Sequence, residues 1–597
     1  MSGRMMICAA VFLCIWQACA GAKGRAVDDI RFNDAVLVLT GAGEIEDVDE
    51  SELDRYMRLA SNPLGINSAG RASLLSSGLL TLYQVVSLLD YRARNGDVMS
   101  FSELSSIDGF NERVAEALSL FIVIDNPAGP ASRSRIGGES MTNISLKKRP
   151  ISGGHNLAAC KSRLSFGRED GFEIGLAASK DYDAPFGRPS SYAGYVNVGR
   201  SGWSLVAGDF ALRFGQGLAL WSGFSMSGFS GERTFWKRAT GISPSWSLSG
   251  TSSHRGLAAE FQAGKFVISS FASVPGLRHW CESGGPPSFS IMPGINASLY
   301  LRHGVVSMTS FAIWNRLMDR TLQSGGPGFG GGKVSADARL CFRGVVMTGE
   351  LSWDIRSFGI AACAGMDVPI AGYWRTALNI RYIPEGYDLS QASPARTFTG
   401  KYGETGFSAG LFFKQSLFTA DFALKSSDTG LRQLKLLFSS PFRITDSFTA
   451  SCRLTARFRS YEKGIRTGMR TDFKYISGQW NSVLRYELLK FKDLSHLVYL
   501  EEGYVHNNGA VFLRGTLFFI DNWDDRIYCY ERDAPGSFNV PAYYGRGYSV
   551  SMVARQKFRF RGVSMKIYWR TGVYAPVFGP VKKETKLENR FQLTLDF

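Results

Sequence analysis

The sequence predicts an α + β multidomain fold, a small helical domain followed by a large antiparallel transmembrane β-barrel. Three observations carry that expectation. Between residues 62 and 125 the apolar residues recur at helical spacing, whereas after Pro150 they recur with period two for about 450 residues, more than one soluble sandwich uses. Beyond the first twenty residues there is no apolar run of about 18, so only strands could cross a membrane. The composition, with 66 Gly, 42 Phe, 23 Tyr and 12 Trp, has a mean hydropathy of −0.06, as expected where only alternate residues are apolar.

Residues 1–20 read as a signal peptide: Arg4 gives a positive start, Met5 to Trp16 an apolar stretch, and Ala18-Cys19-Ala20 a small-residue cleavage site. Cys14 and Cys19 raise a lipoprotein alternative, against which bulky Trp16 argues. Residues 21–61 are an acidic lead-in with a helix expected over Glu44 to Leu59. Residues 62–125 form the helical domain. Asn67 or Ser68 should cap a first helix through Leu75, and Val85, Val86, Leu88 and Leu89 form the apolar stripe of a second, from Leu82 to Arg94. Asn95-Gly96 should end it, Ser102-Glu103-Leu104 open a third, and Gly109-Phe110-Asn111 turn into a fourth ending near Phe121. Pro127, Gly129, Pro130, Gly137 and Gly138 mark residues 126–150 as a linker, leaving 151–597 for the barrel.

Phe172, Ile174, Leu176 and Ala178 alternate with Glu173, Gly175, Ala177 and Ser179, and the same period governs 448–459 and 563–570. At about 20 residues per strand and connection, roughly 20 to 26 strands are expected. Aromatic clusters at Tyr475 to Trp480 and Phe518 to Trp523 suit interfacial girdles. The alternation of Phe591, Leu593, Leu595 and Phe597 resembles the β-signal of outer-membrane proteins. That resemblance implies the barrel-assembly machinery as a partner, and outer-membrane lipid and lipopolysaccharide as surroundings.

Charge is divided unevenly. Residues 27–125 carry 7 Arg, no Lys and 17 acidic residues, a net −10, whereas residues from 126 onward carry 58 basic and 35 acidic residues, a net +23. The two parts should therefore have different partners. Cys160, Cys281, Cys341, Cys363, Cys452 and Cys529 are scattered without a CxxC pair, and no HExxH motif exists, so no metal or cofactor is expected. Gly325 to Lys333 fails the phosphate-loop pattern at Pro327 and Val334, and reads as a mobile loop between strands.

The motifs Asn62-Pro63-Leu64-Gly65-Ile66-Asn67-Ser68-Ala69, Leu88-Leu89-Asp90-Tyr91-Arg92, Phe101-Ser102-Glu103-Leu104 and Ile107-Asp108-Gly109-Phe110 resemble the tandem helix-hairpin-helix domain of ComEA-type DNA receptors. The resemblance implies phosphate-binding turns at Leu79-Leu80-Thr81 and Gly109-Phe110-Asn111, with Arg113 beside the second. The first turn lacks both family glycines and the second keeps one. Residues 62–125 set Arg71, Arg92, Arg94 and Arg113 against seven acids, which disfavours nucleic acid. Docking of an unidentified periplasmic protein is the better expectation.

The whole chain is similar to a family of large outer-membrane proteins that join such a domain to a barrel. Gly208-Asp209-Phe210, Phe214-Gly215-Gln216-Gly217-Leu218 and Trp221-Ser222-Gly223 look like its early barrel signature. Tyr528, Tyr530-Glu531 and Tyr543-Tyr544-Gly545-Arg546-Gly547 look like its late one. The early glycines mark either bulges and close approach of strands or a constriction or plug seat. The functional expectation is a non-enzymatic channel or assembly scaffold, with DNA uptake and a barrel enzyme as alternatives. No G-x-S-x-G motif supports the last.

Overall fold

A computed structural model describes residues 29–125 and 136–597 with short breaks, the longest at 149–155, 275–288 and 317–327. The expected signal peptide and Cys281 lie outside the described residues.

Among the described residues six helices precede the barrel: α1 (Asp29–Thr40), α2 (Glu50–Ser61), α3 (Arg71–Ser76), α4 (Leu82–Asn95), α5 (Phe101–Ser105) and α6 (Glu112–Leu118). Local chemistry sets their limits. Thr81 and Gln84 form a reciprocal capping box at the start of α4, and Gly96, at φ +88°, ends it behind Arg92 and Arg94. Ser100 and Asn111 accept from the third backbone N–H of α5 and α6. The first helix starts at Arg71, not at an Asn67 or Ser68 cap, because Asn67 is used otherwise. Its side chain bridges the Val98 backbone and the Asp125 carbonyl, and Asp125 accepts from Asn67 N at 2.7 Å and Ser68 N at 3.0 Å. Burial pushes the Asp125 carboxyl up, but these hydrogen bonds outweigh it and hold it below the usual carboxylate range.

The lead-in is not a separate segment. Val36, Leu39, Leu53 and Tyr56 are buried in one core with Leu74, Leu88, Leu118 and Phe121, and the Tyr56 and Phe121 rings meet edge-on at 5.2 Å. Helix α1 was not foreseen.

Among the described residues, twenty-four antiparallel strands close into a ring, within the expected range. The ring begins at Ile136–Lys148, inside the expected linker rather than at residue 151. This strand pairs on one side with Asn156–Arg168 and on the other with Lys586–Asp596, so the barrel cannot close without it. Its Gly, Ser, Thr and Asn residues resemble linker composition, but extended pairing tolerates them once both neighbours exist. The Gly325 to Lys333 run is likewise not a loop from residue 328 on, because Gly328–Phe342 is a strand.

The wall is inverted relative to a soluble protein. In Val345–Asp354, Met347, Leu351 and Trp353 are exposed, while Glu350, Ser352 and Asp354 are buried. Exposed apolar faces and buried polar ones require lipid outside and protein or water within, so this is an outer-membrane-type barrel. Consecutive strands are joined at one end by two to four residues and at the other by three to forty. Exposed Trp203, Phe266, Phe342, Trp374 and Trp480 cluster at the short-turn end, and Trp314, Phe329, Trp353 and Tyr382 at the long-loop end, as two girdles.

The Phe597 and Gly138 backbones exchange two hydrogen bonds, at 2.8 and 2.9 Å, where the ring closes. Phe591, Leu593 and Phe597 are exposed on the outer face, with Leu595 half-buried between them. Changing Phe597 to Asp should reduce folded barrel in outer-membrane fractions at least tenfold, read as loss of the heat-modifiable gel band. Undiminished assembly would show that closure does not depend on this residue.

Candidate functional site: the occupied lumen

The strand Trp203–Arg213 leaves the wall halfway along its length, and the early signature residues make it do so. Gly208, at φ +106°, stands opposite Gly256; a Cβ on Gly208 would lie 2.2 Å from Gly194 O and one on Gly256 2.0 Å from Ala272 O. No other residue fits. Next along, Asp209 faces Arg255, whose Nε and Nη2 both donate at 2.9 Å, while Gly194 N donates to it at 2.7 Å. Beyond this clamp the strand pairs with the short Gly241–Pro244 strand, and Phe210 to Arg213 are buried.

The chain then turns inside the barrel around one carboxylate. Glu350, on the wall strand Val345–Asp354, accepts from Gln216 N at 2.6 Å, Leu218 N at 3.1 Å and Ala219 N at 3.0 Å. Gly215 (φ +60°) and Gly217 (φ +82°) make the turn, and a Cβ on Gly215 would lie 2.6 Å from Glu350 Oε2. The Gln216 side chain pairs with the Lys237 backbone, and Trp221 N donates to Gln391 O at 2.8 Å beneath the Lys237 ammonium. Gly215 and Gly217 thus take left-handed conformations at a turn inside the barrel, whereas Gly208 marks a close approach of strands in the wall.

Residues 384–398 pack on this turn. Tyr387, whose phenol burial pushes well up, donates to Leu218 O at 3.0 Å. Lys333 donates to Leu218 O and Asp388 O. Arg381 donates to Glu404, Asp421, Ser408 and Thr397, tying the segment to the wall.

The late signature builds a second inward loop, described over residues 521–535 and 539–544. Glu501 accepts from Arg514 at 2.6 Å and from the loop's Arg532 at 2.9 Å. Glu531 of the loop bonds Tyr543 and wall Arg570, and Asp533 bonds wall Arg590. A Cβ on Gly547 would lie 2.1 Å from Ala575 O.

The helical domain enters from the short-turn end. Inward-facing Tyr300, Cys341 and Val346 join its core, and Arg71 Nη1 donates to Arg302 O at 2.6 Å. Arg238, from the segment following the Glu350 turn, reaches it from inside, donating to Gly78 O and Leu39 O at 2.8 Å each. Asn33 reaches Tyr530 OH at 3.5 Å; burial pushes that phenol up to about 12, so it stays neutral.

The expected hairpin turns look different in this light. The left-handed residue of the first turn is Gly78 (φ +67°), before the expected Leu79-Leu80-Thr81. Leu79 and Leu80 are core residues and Thr81 is a helix cap; Leu79 N donates to Ser77 Oγ at 3.2 Å and Thr81 N to Gln84 Oε1 at 2.9 Å, so these two donors are engaged within the turn. In the second, Gly109 (φ +84°) turns the chain, Phe110 is buried, Asn111 caps α6 and Arg113 is exposed. The two turns do not share one surface ligand: Arg238 holds the Gly78 carbonyl, while Gln84 holds that of Gly109.

Sequence reasoning missed Glu350, Lys333, Arg381, Arg238 and Glu501. Among the described residues no group of three or more His, Cys, Asp or Glu could hold a metal, and Cys160, Cys341, Cys363, Cys452 and Cys529 are free thiols.

No family model and no curated protein matches the chain. Solved structures that it resembles include Pseudomonas aeruginosa OpdQ (8% identity, 78% of this chain and 97% of that one, TM-score 0.28). The siderophore receptor PirA from Pseudomonas aeruginosa is similar at 9% identity, over 78% and 81% of the two chains, with TM-score 0.38. The P pilus usher (PapC) translocation pore is similar at 8% identity, over 77% and 99%, with TM-score 0.33. At such scores these likenesses carry no argument, and the barrel reading rests on the strand pairing itself.

Glu350→Ala would leave three buried N–H groups without an acceptor, at about 1–3 kcal/mol for each such group. Amide exchange at Gln216, Leu218 and Ala219 should speed up by about 100-fold, while barrel-strand amides stay protected. Unchanged exchange there would show that the carboxylate does not hold the turn.

Proposed function

We propose that this chain is a gated outer-membrane conduit, closed in its resting state by inward-folded segments and by its N-terminal domain. Short turns face the periplasm in such barrels, so the helical domain lies on the periplasmic side. The observation that carries the reading is the pair of Arg238 hydrogen bonds to Leu39 O and Gly78 O, which joins the domain to a segment already locked inside the lumen. An open porin has no use for such a contact. Most of the domain's links to the barrel are single hydrogen bonds around a limited apolar contact, which suits a plug that must leave. Its exposed acidic face is then the surface on which a periplasmic protein would pull, and the assembly-scaffold reading remains the alternative for a barrel that never opens.

DNA uptake fits less well. Arg92 is used up on the Ile66, Asn67 and Ala69 carbonyls and Arg71 on Arg302, so two of the four arginines in residues 62–125 are committed before any phosphate arrives. An enzymatic role has no cluster of residues in its favour among the described residues.

The test is conductance in planar bilayers. Full-length protein should give small, rare openings, and a chain lacking residues 29–125 should conduct at least several-fold more. Arg238→Glu, which sets a carboxylate against two carbonyls, should raise the open fraction without removing the domain. Equal conductance in all three would overturn the gated reading and leave the scaffold.

A further inference from the structure

The backbone ladder between the strands Ser191–Arg200 and Trp203–Arg213 stops partway up the wall. Its last pair is Tyr195 with Gly208, where the second strand turns inward, although Ser191 to Gly194 continue to pair on their other side. Beyond the gap, the ladders of His254–Ala263 end at Phe210–His254 and at Gly256–Ser273. The next strand, Phe289–Leu301, runs further, with Phe289 to Ile291 still paired to Gly304–Arg316. Among the described residues the strands in between therefore fall short of both flanks, and the wall is notched at its long-loop end.

The notch is deep. Gly208 lies five residues beyond exposed Trp203 of the short-turn girdle. At about 3.3 Å per residue and a strand tilt of about 40°, the break comes about 13 Å into an apolar band about 25 Å tall. It therefore opens against the acyl chains of the half of the bilayer nearer the long loops.

Side chains replace the ladder at this level. Asp209 accepts from Gly194 N at 2.7 Å and from Arg255 Nε and Nη2 at 2.9 Å each, and Arg255 Nη2 also donates to Tyr192 O at 2.9 Å. The guanidinium lies 4.9 Å from the centre of the Tyr192 ring. Register puts Asp209 and Arg255 on the same side as exposed Leu205 and Leu257, and Tyr192 is in phase with exposed Val196 and Val198. The ion pair thus belongs to the lipid-facing side, with Asp209 only 1% exposed. Charged groups inside a membrane are expensive and are kept where they have a use.

Behind the pair the lumen changes character. Wall residues Tyr195, Phe271, Met292 and Phe311 pack with Phe210 and Trp246 in one apolar cluster, unlike the polar inner face of Val345–Asp354. A hydrophilic solute gains nothing from such a surface, whereas a hydrocarbon chain does.

We propose that this notch is a lateral portal through which the acyl chain of a membrane amphiphile enters the barrel from the bilayer, with Asp209–Arg255 as its latch. Lipid already touches the latch from outside, and the apolar cluster continues that surface inward. Opening needs one ion pair and its few hydrogen bonds to part, not a continuous strand ladder. The portal lies in the wall, so it does not depend on whether the helical domain ever leaves the lumen.

The experiment is photo-crosslinking of full-length protein in phosphatidylcholine vesicles, with labelled residues mapped by mass spectrometry. One probe is palmitic acid bearing a diazirine at its chain end; the other is phosphatidylcholine carrying the same chain. Inward Phe271, Met292 and Phe311 should be labelled, while Leu497 and Tyr499, buried inward residues elsewhere in the wall, should not. Arg255→Gln should raise the inward labelling at least threefold, with heat-modifiable migration retained. Asp209→Asn, which keeps an acceptor for Gly194 N, provides a milder second variant with the same direction of change. Labelling by palmitic acid alone would identify a free fatty acid as the ligand, and labelling by both probes any acyl chain. No inward labelling in any form, labelling that both variants leave unchanged, or equal labelling of Leu497 and Tyr499 would overturn the portal.

Discussion

A ring of twenty-four strands is too wide for wall side chains to meet across its axis, so polar faces pointing inward need partners from elsewhere in the chain. The constraint is severe because lipid claims the other face of every strand. Glu350, Lys333, Arg381 and Glu501 cannot turn outward; Arg381 and Glu501 find partners on the wall in Glu404, Asp421 and Arg514, whereas Glu350 is satisfied by the inserted turn. The chain answers by folding in segments whose backbones and side chains supply the missing donors and acceptors. Glu350 shows the economy of the solution: one carboxylate satisfies three N–H groups of a turn that has no secondary structure of its own. The wall and the inserted segments are therefore one polar unit, and removing either leaves the other unsatisfied.

What the sequence revealed follows from the range of the interactions involved. Alternation in 172–179 or 448–459 is local, so the barrel was legible, as were Gly96 and Asn111 at helix ends. The Gly215-Gln216-Gly217 turn stood out because tight turns have a local signature, but its anchor did not. Glu350 lies 134 residues from Gln216 and looks like any inward-facing strand residue. Lys333 was obscured by the glycine run before it, read as a loop when it opens a strand. The strand Ile136–Lys148 was hidden for a related reason, since small polar residues carry little period-two signal and only pairing with 586–596 makes them a strand.

The hairpin turns teach the same lesson in reverse. Matching by sequence put the first turn at Leu79-Leu80-Thr81, whereas backbone sterics put it at Gly78, the residue there that adopts a left-handed conformation without strain. The shift moves Leu79 and Leu80 into the core and leaves the carbonyl of Gly78, not its N–H groups, as the feature turned outward. A carbonyl attracts a cation. Arg238 supplies one.

That polarity extends to the whole domain. The Leu39 carbonyl belongs to the last turn of α1, where the helix dipole is negative, and Arg238 meets it there as a cation. Around this contact a region of net charge −10 sits in the mouth of one of net charge +23. Where charged groups of the two meet, Asp90 of the domain faces Arg302 of the barrel at 3.6 Å, an acidic group against a basic one. That half-exposed pair weakens as salt rises, whereas the hydrogen bonds of Arg238 and Arg71 to carbonyls depend on salt less, so they are the contacts that keep the domain seated.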